Sequence, residues 1–444
     1  MIAERPSRMF SLLFVAASVG VVVGSVVLYL SVLREDYYSI DNAIVNLSVS
    51  ALLCFLILLI LRYFVMLWFA FLAHLESSSD ADVDAYPPLV SILVPAYNES
   101  VCIASSIRSL AELDYPNKEI IVIDDGSTDD TYWCALEEGK RTRGVSVRVL
   151  SQRNGGKASA LNHGIGEAQG AFVLCVDGDS NLAPQSLREG MRHFGDPNVV
   201  AVAGNVKVVN RRNLLTWLQA LEYVEGLNLV RSAQAFFRAV NIIPGPLGIF
   251  RRDALLAAGG YSGATFAEDC DLTLTLLEQG WKIKYEPRAI AFTEAPEELF
   301  PLLKQRYRWT RGILQALRKH RQILFTRGHG FGTRITIAYM MFEAVLWPAM
   351  NVFANAFLLL IAVQYGTTRL LALWWLQLTL LDAIGALFAV AAEKEDLRLV
   401  PYSVIYRMSY ILLIDICKVL ATFEELAGVR MGWGKLERLG RLST

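Results

Sequence analysis

Ala171-Phe172-Val173-Leu174-Cys175-Val176-Asp177-Gly178-Asp179 is the stretch from which the fold is read. Six apolar residues make a buried strand, and the chain then turns at a glycine with a carboxylate on either side. Two carboxylates two residues apart at a strand end can aim at one hard cation. Mg²⁺ or Mn²⁺ held in this way keeps several waters and takes its remaining ligands from substrate phosphates. As a Lewis acid, it then neutralises a leaving diphosphate. A merely solvated turn leaves the apolar strand before it unexplained.

Working outward, apolar runs at residues 89–94, 119–123, 145–150 and 199–203 have the same strand character, with helical patterns between them. Such alternation predicts an α/β fold of parallel strands joined by crossover helices. Ligands in such sheets bind beyond the carboxyl ends of the strands, so the loop after each strand is where chemistry is sought.

The first of these loops is Pro95-Ala96-Tyr97-Asn98-Glu99 and the second Asp124-Asp125-Gly126-Ser127-Thr128-Asp129-Asp130. A carboxylate there accepts hydrogen bonds from a base N–H or from ribose hydroxyls, and Gly126 lets backbone come close. The same residues also make a good turn and helix N-cap; their position after a strand favours the nucleotide. Asn154-Gly155-Gly156-Lys157 opens a helical pattern at 158–168 and suits an anion, although its spacing is not that of a Walker A loop.

Glu268-Asp269 precedes a helical pattern at 272–279. An acidic pair there is an ordinary N-terminal arrangement favoured by the helix dipole. The functional alternative makes Asp269 a general base that takes a proton from an acceptor hydroxyl as it attacks an anomeric carbon. A single displacement of this kind inverts the anomeric configuration. In Gln305-Arg306-Tyr307-Arg308-Trp309, Arg308 suits diphosphate oxygens and Trp309 offers a flat face to a sugar ring. The same residues also suit an amphipathic helix at a membrane surface; both readings are retained.

Of the 444 residues 54% are hydrophobic, too many for a purely soluble enzyme, and 42 Lys and Arg balance 43 Asp and Glu. That balance gives no global basic field, so no nucleic-acid partner is expected. Apolar stretches at 10–33 and 44–73, the second interrupted by Arg62, are long enough to span a bilayer. With Arg5 and Arg8 inside, both ends of this hairpin and the block from 80 to 325 are cytoplasmic. Two more spans fall at 335–363 and 370–392. A weaker stretch at 402–423 places Arg407, Asp415 and Lys418 on one face, and its crossing or lying on the interface is left open, with a slight preference for crossing. The six cysteines show no CxxC pair and are expected to be free thiols.

In order, PAYNE, DDGSTDD, NGGKASALN, DGD, AED and QRYRW resemble the signature of family 2 glycosyltransferases with a GT-A fold, over roughly residues 90–312. QRYRW is similar to the element of processive membrane synthases. Within the family the chain most resembles poly-β-1,6-N-acetylglucosamine synthases, with chitooligosaccharide, hyaluronan and cellulose synthases more distant.

The resemblance implies a cytoplasmic Rossmann-like GT-A domain inserted between transmembrane helices. The division is 1–79 for two spans, 80–310 for the catalytic domain, 311–333 for an interfacial segment, 334–428 for about three spans and 429–444 for a basic tail. It implies nucleotide binding by Ala96, Tyr97, Glu99, Asp125, Lys157 and Asp177, metal binding by Asp179, and Asp269 as base. Glu268, Gln305, Arg308 and Trp309 would line the acceptor and diphosphate region. The implied partners are a UDP-sugar donor (N-acetylglucosamine, with glucose as the alternative), Mg²⁺ or Mn²⁺, a growing glycan or lipid acceptor, membrane lipids and a small membrane partner subunit. The implied location is the plasma (inner) membrane. Two departures stand out: Ala267 replaces the usual threonine, and Pro244-Gly245-Pro246-Leu247-Gly248 carries two prolines in a loop expected near the acceptor. Competing readings are transfer of a single sugar to a lipid, and a transporter or receptor with a nucleotide-binding domain. The latter calls for a larger bundle with internal repeats, and the sequence has none.

Overall fold

The computed structural model describes residues 43–76, 87–326, 328–366 and 368–429, with scattered positions between 16 and 31. Arg5, Arg8 and most of the expected first span lie outside the described residues, as does the basic tail with Arg430, Lys435, Arg438 and Arg441. The chain forms two compact units, one of Met1–Leu67 with Leu346–Ile416 and one of Trp68–Val345 with Cys417–Thr444.

The second unit is built on an eight-stranded sheet in the order β3-β2-β1-β4-β7-β6-β8-β5. Its strands are β1 (Val90–Ala96), β2 (Lys118–Asp124), β3 (Ser146–Ser151), β4 (Phe172–Cys175), β5 (Asn181–Leu182), β6 (Val199–Val208), β7 (Gly248–Arg251) and β8 (Lys282–Thr293). β1 pairs in parallel with β2 and β4, and β2 with β3, as the alternation predicts. The sheet is nevertheless mixed. β7 runs antiparallel to both β4 and β6, whereas β8 is parallel to β6 and antiparallel to β5.

Period-2 side-chain alternation gives the inner strands β1, β2 and β4 two buried faces, whereas the edge strand β3 is only half-buried. Leu93, Ile121, Ile123 and Val173 pack into a core on one side with Leu161 and Ile165 of the helix Lys157–Glu167. Ile92, Val94, Ile120, Val122 and Leu174 pack on the other with Ile103, Ile107 and Leu110. Each fully buried Ile, Leu or Val contributes about 1.5–3 kcal/mol, so the double-sided sheet is what fixes the loops at its carboxyl edge. Gly164 brings the Lys157–Glu167 helix close to the sheet: a Cβ there would lie 2.8 Å from Ile123 Cδ1.

Among the described residues, three helices are long and apolar enough to cross a membrane: Leu47–Ala73, Phe331–Tyr365 and Arg369–Ala392. The ambiguous stretch at 402–423 is helical, with a π segment at Tyr406–Ile411, and is not among these three. Of its charged face, Lys418 is half-buried and the other two residues are turned inward. Arg407 and Asp415 are buried in the first unit. Arg407 Nε lies 2.6 Å from Asp382 Oδ2, and the Tyr63 hydroxyl donates to Asp382 Oδ1 at 2.5 Å. Asn351 Nδ2 donates to Asp415 Oδ2 at 2.8 Å. None of the six cysteines, all among the described residues, is in a disulfide.

Candidate active site

β1, β2 and β4 are parallel, with Ala96 opposite Asp124 and Leu93 opposite Cys175, so their terminal loops emerge at one edge. The first two loops are tied together. Asp125 N donates to Ala96 O at 2.9 Å, Thr128 N to Asn98 Oδ1 at 2.8 Å, and Glu99 N to Thr131 Oγ1 at 2.7 Å. Gly126 takes φ +70°, where a Cβ would lie 2.8 Å from Asn154 N. Tyr97 sits half-buried in the β1 loop.

Asp125 joins this edge to the glycine loop. Its Oδ1 accepts from Gln152 Nε2 (2.7 Å) and Gly155 N (2.9 Å), and its Oδ2 from Gly156 N (2.8 Å). The N–H groups at the start of the Lys157–Glu167 helix, expected to face an anion, therefore hold the protein's own carboxylate.

The polar centre forms around Lys157. Its Nζ lies 2.6 Å from Asp177 Oδ1 and 3.3 Å from Glu268 Oε1. Burial works against this cation, but Asp177, Glu268 and Asp269 together raise its pKa above the ordinary lysine range. Asp269 responds in the opposite sense. Burial and the neighbouring Glu268 push its carboxyl up to about 6, while Lys157 and the Cys270 N–H pull it back. A carboxylate so placed is poised to exchange a proton near neutral pH. Glu268 and Asp269 open the helix Glu268–Glu278, which begins four residues before the pattern in the sequence; Ala267 at its N-cap provides no side-chain bond. Pro95, Leu161, Ile243, Phe250 and Tyr261 close a pocket around Lys157, Asp177 and Asp269.

Antiparallel β7 supplies the wall that strand alternation did not predict. Gly248 pairs with Cys175, so the loop before β7 arrives at the carboxyl end of β4. Gly245 is consequently pressed against the charged pair: a Cβ there would meet Lys157 Nζ at 2.6 Å and Asp177 Oδ2 at 2.8 Å. The two-proline loop thus lines the same centre as Lys157 and Asp177.

Asp179 is buried just past the end of β4, two residues beyond Asp177. Among the described residues no group of three or more His, Cys, Asp or Glu gathers to hold a metal unaided. One or two carboxylates beside a diphosphate site fit a hard cation that draws its other ligands from phosphate and water.

Gln305, Arg308 and Trp309 lie on the helix Leu299–Lys319, which runs unbroken through the domain boundary expected at 310. Arg306, not singled out in the sequence, ties Gln305 and Trp309 together. It is buried, its Nη2 lies 2.5 Å from Glu222 Oε2, its Nη1 donates to Gln305 Oε1 at 2.6 Å, and its guanidinium carbon lies 4.2 Å from the centroid of the Trp309 ring. The helix meets the start of Glu268–Glu278 further along, where a Cβ on Gly312 would lie 2.6 Å from Ala267 Cβ. That contact accounts for a small residue at 267.

Residues 91–257 match the model described as Glycosyl transferase family 2. The chain is 34% identical over 241 residues to a poly-beta-1,6-N-acetyl-D-glucosamine synthase of Staphylococcus aureus (strain COL), covering 54% of this chain and 57% of that protein. It is 35% identical over 228 residues to the synthase of the same description from Staphylococcus epidermidis, covering 50% and 54%. The chain thus matches little more than half the length of these curated relatives. Among solved structures it is similar to the mannosyltransferase PcManGT from Pyrobaculum calidifontis in complex with GDP-Man and Mn²⁺. The TM-score is 0.62 at 21% identity, over 84% of this chain and 98% of that one, a likeness of fold.

Proposed function

We propose, from the match of residues 91–257 to the glycosyl transferase family 2 model, that the protein is a membrane-bound, inverting polymerase of a β-linked glycan that uses UDP-N-acetylglucosamine at the cytoplasmic face. The observation that carries this reading is Asp269. It is a half-buried carboxyl pushed up to about 6, in one charged cluster with Lys157, Asp177 and Glu268 at the carboxyl edge of the sheet. The similarity to poly-beta-1,6-N-acetyl-D-glucosamine synthases supports the donor and the polymer, and the three apolar helices support the membrane setting.

In this mechanism Asp269 takes the proton of the acceptor hydroxyl. The oxygen bonds to the anomeric carbon from the face opposite the nucleotide, the bond from that carbon to the diphosphate oxygen breaks, and UDP leaves with the electron pair. Asp177 and Asp179 are the residues that would hold Mg²⁺ or Mn²⁺, whose contribution when bound is to neutralise the diphosphate. Lys157 keeps Asp269 from rising further, so the base stays ionised at neutral pH. The edge from Ala96 to Glu99 and Asp125 shapes the nucleotide end, and Gln305, Arg308 and Trp309 receive the glycan.

The test is a panel of UDP-sugars given to the purified full-length protein, reading UDP release and product size. UDP-N-acetylglucosamine should give the largest release and a polymer. Addition of a single sugar would refute polymerisation, and preference for UDP-glucose would refute the donor.

A further inference from the structure

The base is bracketed on both sides by one helix. Upstream of Asp269, Phe266 N donates to Gln315 Oε1 at 3.1 Å, and Gly312 packs on Ala267. Downstream, Asp271 Oδ2 lies 2.7 Å from Lys319 Nζ and Asp271 Oδ1 lies 2.9 Å from His320 Nε2. The helix Leu299–Lys319 thus acts as a splint for the first turn of Glu268–Glu278.

The splint is held in turn by the end of the helix Leu412–Leu426 and the residues after it. Glu425 Oε2 accepts from Gln315 Nε2 at 3.1 Å and from Arg311 Nε at 2.7 Å. Arg311 Nη2 donates to Val429 O at 2.5 Å, and Tyr307 donates to Glu424. The side chains of Arg311 and Glu425 are 4% and 16% exposed, so the pair is little screened by solvent. Gln315 is therefore a two-ended link, its amide nitrogen on Glu425 and its amide oxygen on the backbone three residues before Asp269.

We propose that Glu425, acting through Gln315, is a positioning residue for the general base, making the segment 424–429 part of the catalytic apparatus although it touches no reacting atom. This rests on the reading of Asp269 as base. Two elements far apart in sequence, 266–269 and 424–429, then share one hydrogen-bonded register. A displacement of about 1 Å at the base costs on the order of a hundredfold in rate.

A double-mutant cycle on the full-length protein tests this, with transfer from radiolabelled UDP-N-acetylglucosamine and UDP binding measured separately. In Q315E two carboxylates face each other; kcat should fall about 10- to 100-fold while UDP binding stays within about twofold. The acid limb of the kcat profile should also move below about 6, because a loosened first turn lets solvent reach Asp269. Adding E425Q restores a donor opposite the introduced carboxylate, so Q315E/E425Q should recover to within about threefold of wild type. A purely structural role moves the yield of folded protein and leaves the limb in place.

An unchanged kcat in Q315E, or no recovery in the double variant, overturns the proposal. Should Q315E not accumulate, Q315A removes the link without adding charge; it should lose about tenfold in kcat, and an unchanged kcat again refutes. D269N separates the two ideas. If it keeps wild-type kcat the base reading is wrong, whereas an inactive D269N beside an unimpaired Q315E leaves only the link wrong.

Discussion

Gly245→Ala places one methyl group against the charged centre. The new Cβ would lie 2.6 Å from Lys157 Nζ, and 2.8 and 3.0 Å from the two Asp177 oxygens. Relieving that overlap moves the ammonium or the carboxylate by about 1 Å. Stretching the 2.6 Å Lys157–Asp177 contact by that amount weakens it by about 2 kcal/mol at an effective dielectric of about 20, and by less once solvent screening is counted. The consequence for Asp269 has a definite sign. Lys157 lowers its pKa, so a retreating Lys157 lets it rise above about 6, and less of the base is ionised in mildly acidic buffer. Transfer by G245A should fall about tenfold at about pH 8 and several-fold further at about pH 6. The assay is kcat across pH with saturating donor. Activity within twofold of wild type at both ends would show that the close approach of Gly245 has no bearing on the base.

Three further outcomes are expected. Trp309→Ala removes the ring that the Arg306 guanidinium covers at 4.2 Å, a contact of about 1–2 kcal/mol; product sizing should show shorter chains with UDP affinity unchanged, and full-length product would exclude Trp309 from the acceptor path. His320 opposes both ring nitrogens to carboxylates, Asp271 at 2.9 Å and Glu278 at 2.7 Å. Burial works against its charge, but the two carboxylates raise its pKa above the ordinary 6.5. Its stabilising contribution is therefore full below 6.5 and lost as pH rises through the raised value; thermal melts should show H320Q losing most relative to wild type at low pH, and a pH-independent difference would contradict the ion pairs. Asp382→Ala leaves the Arg407 cation buried in the first unit, which should cost about 3–5 kcal/mol; detergent-solubilised melts should register it, and an unchanged melt would rule out a structural pair.

How much of this was legible in the sequence depends on what each residue needed in order to be read. β1, β2, β4 and β6 declare themselves because both faces are buried and the strands are largely apolar, and the half-buried β3 by Val147, Val149 and Leu150. β8 does not. Pro287 interrupts it, and a proline argues against an inner strand; the structure accommodates it where the β6–β8 register skips between Glu286 and Ile290. β7, four residues long, gives no period to detect, and with it the contact of Gly245 with Lys157 was hidden. Carboxylates at strand ends were legible as chemistry. What they hold was not, because the Asp125 bonds to Gly155 and Gly156 depend on how two loops meet. Arg306 was obscured by standing inside a motif whose neighbours drew the attention, although a buried Arg needs a carboxylate, and Glu222 lies 84 residues away.

The reversal of direction at β7 also bears on how such an enzyme can diversify. Because β7 enters antiparallel beside β4, the half of the pocket carried on residues 90–179 and the half carried on 243–312 are two uninterrupted lengths of chain whose strands meet at the β4–β7 pair. An exchange of the second length between relatives alters the wall and Asp269 together and leaves the first length intact. The turn before β7 is thus a short path from one pocket lining to another, and a natural seam at which to cut and join when building chimeras.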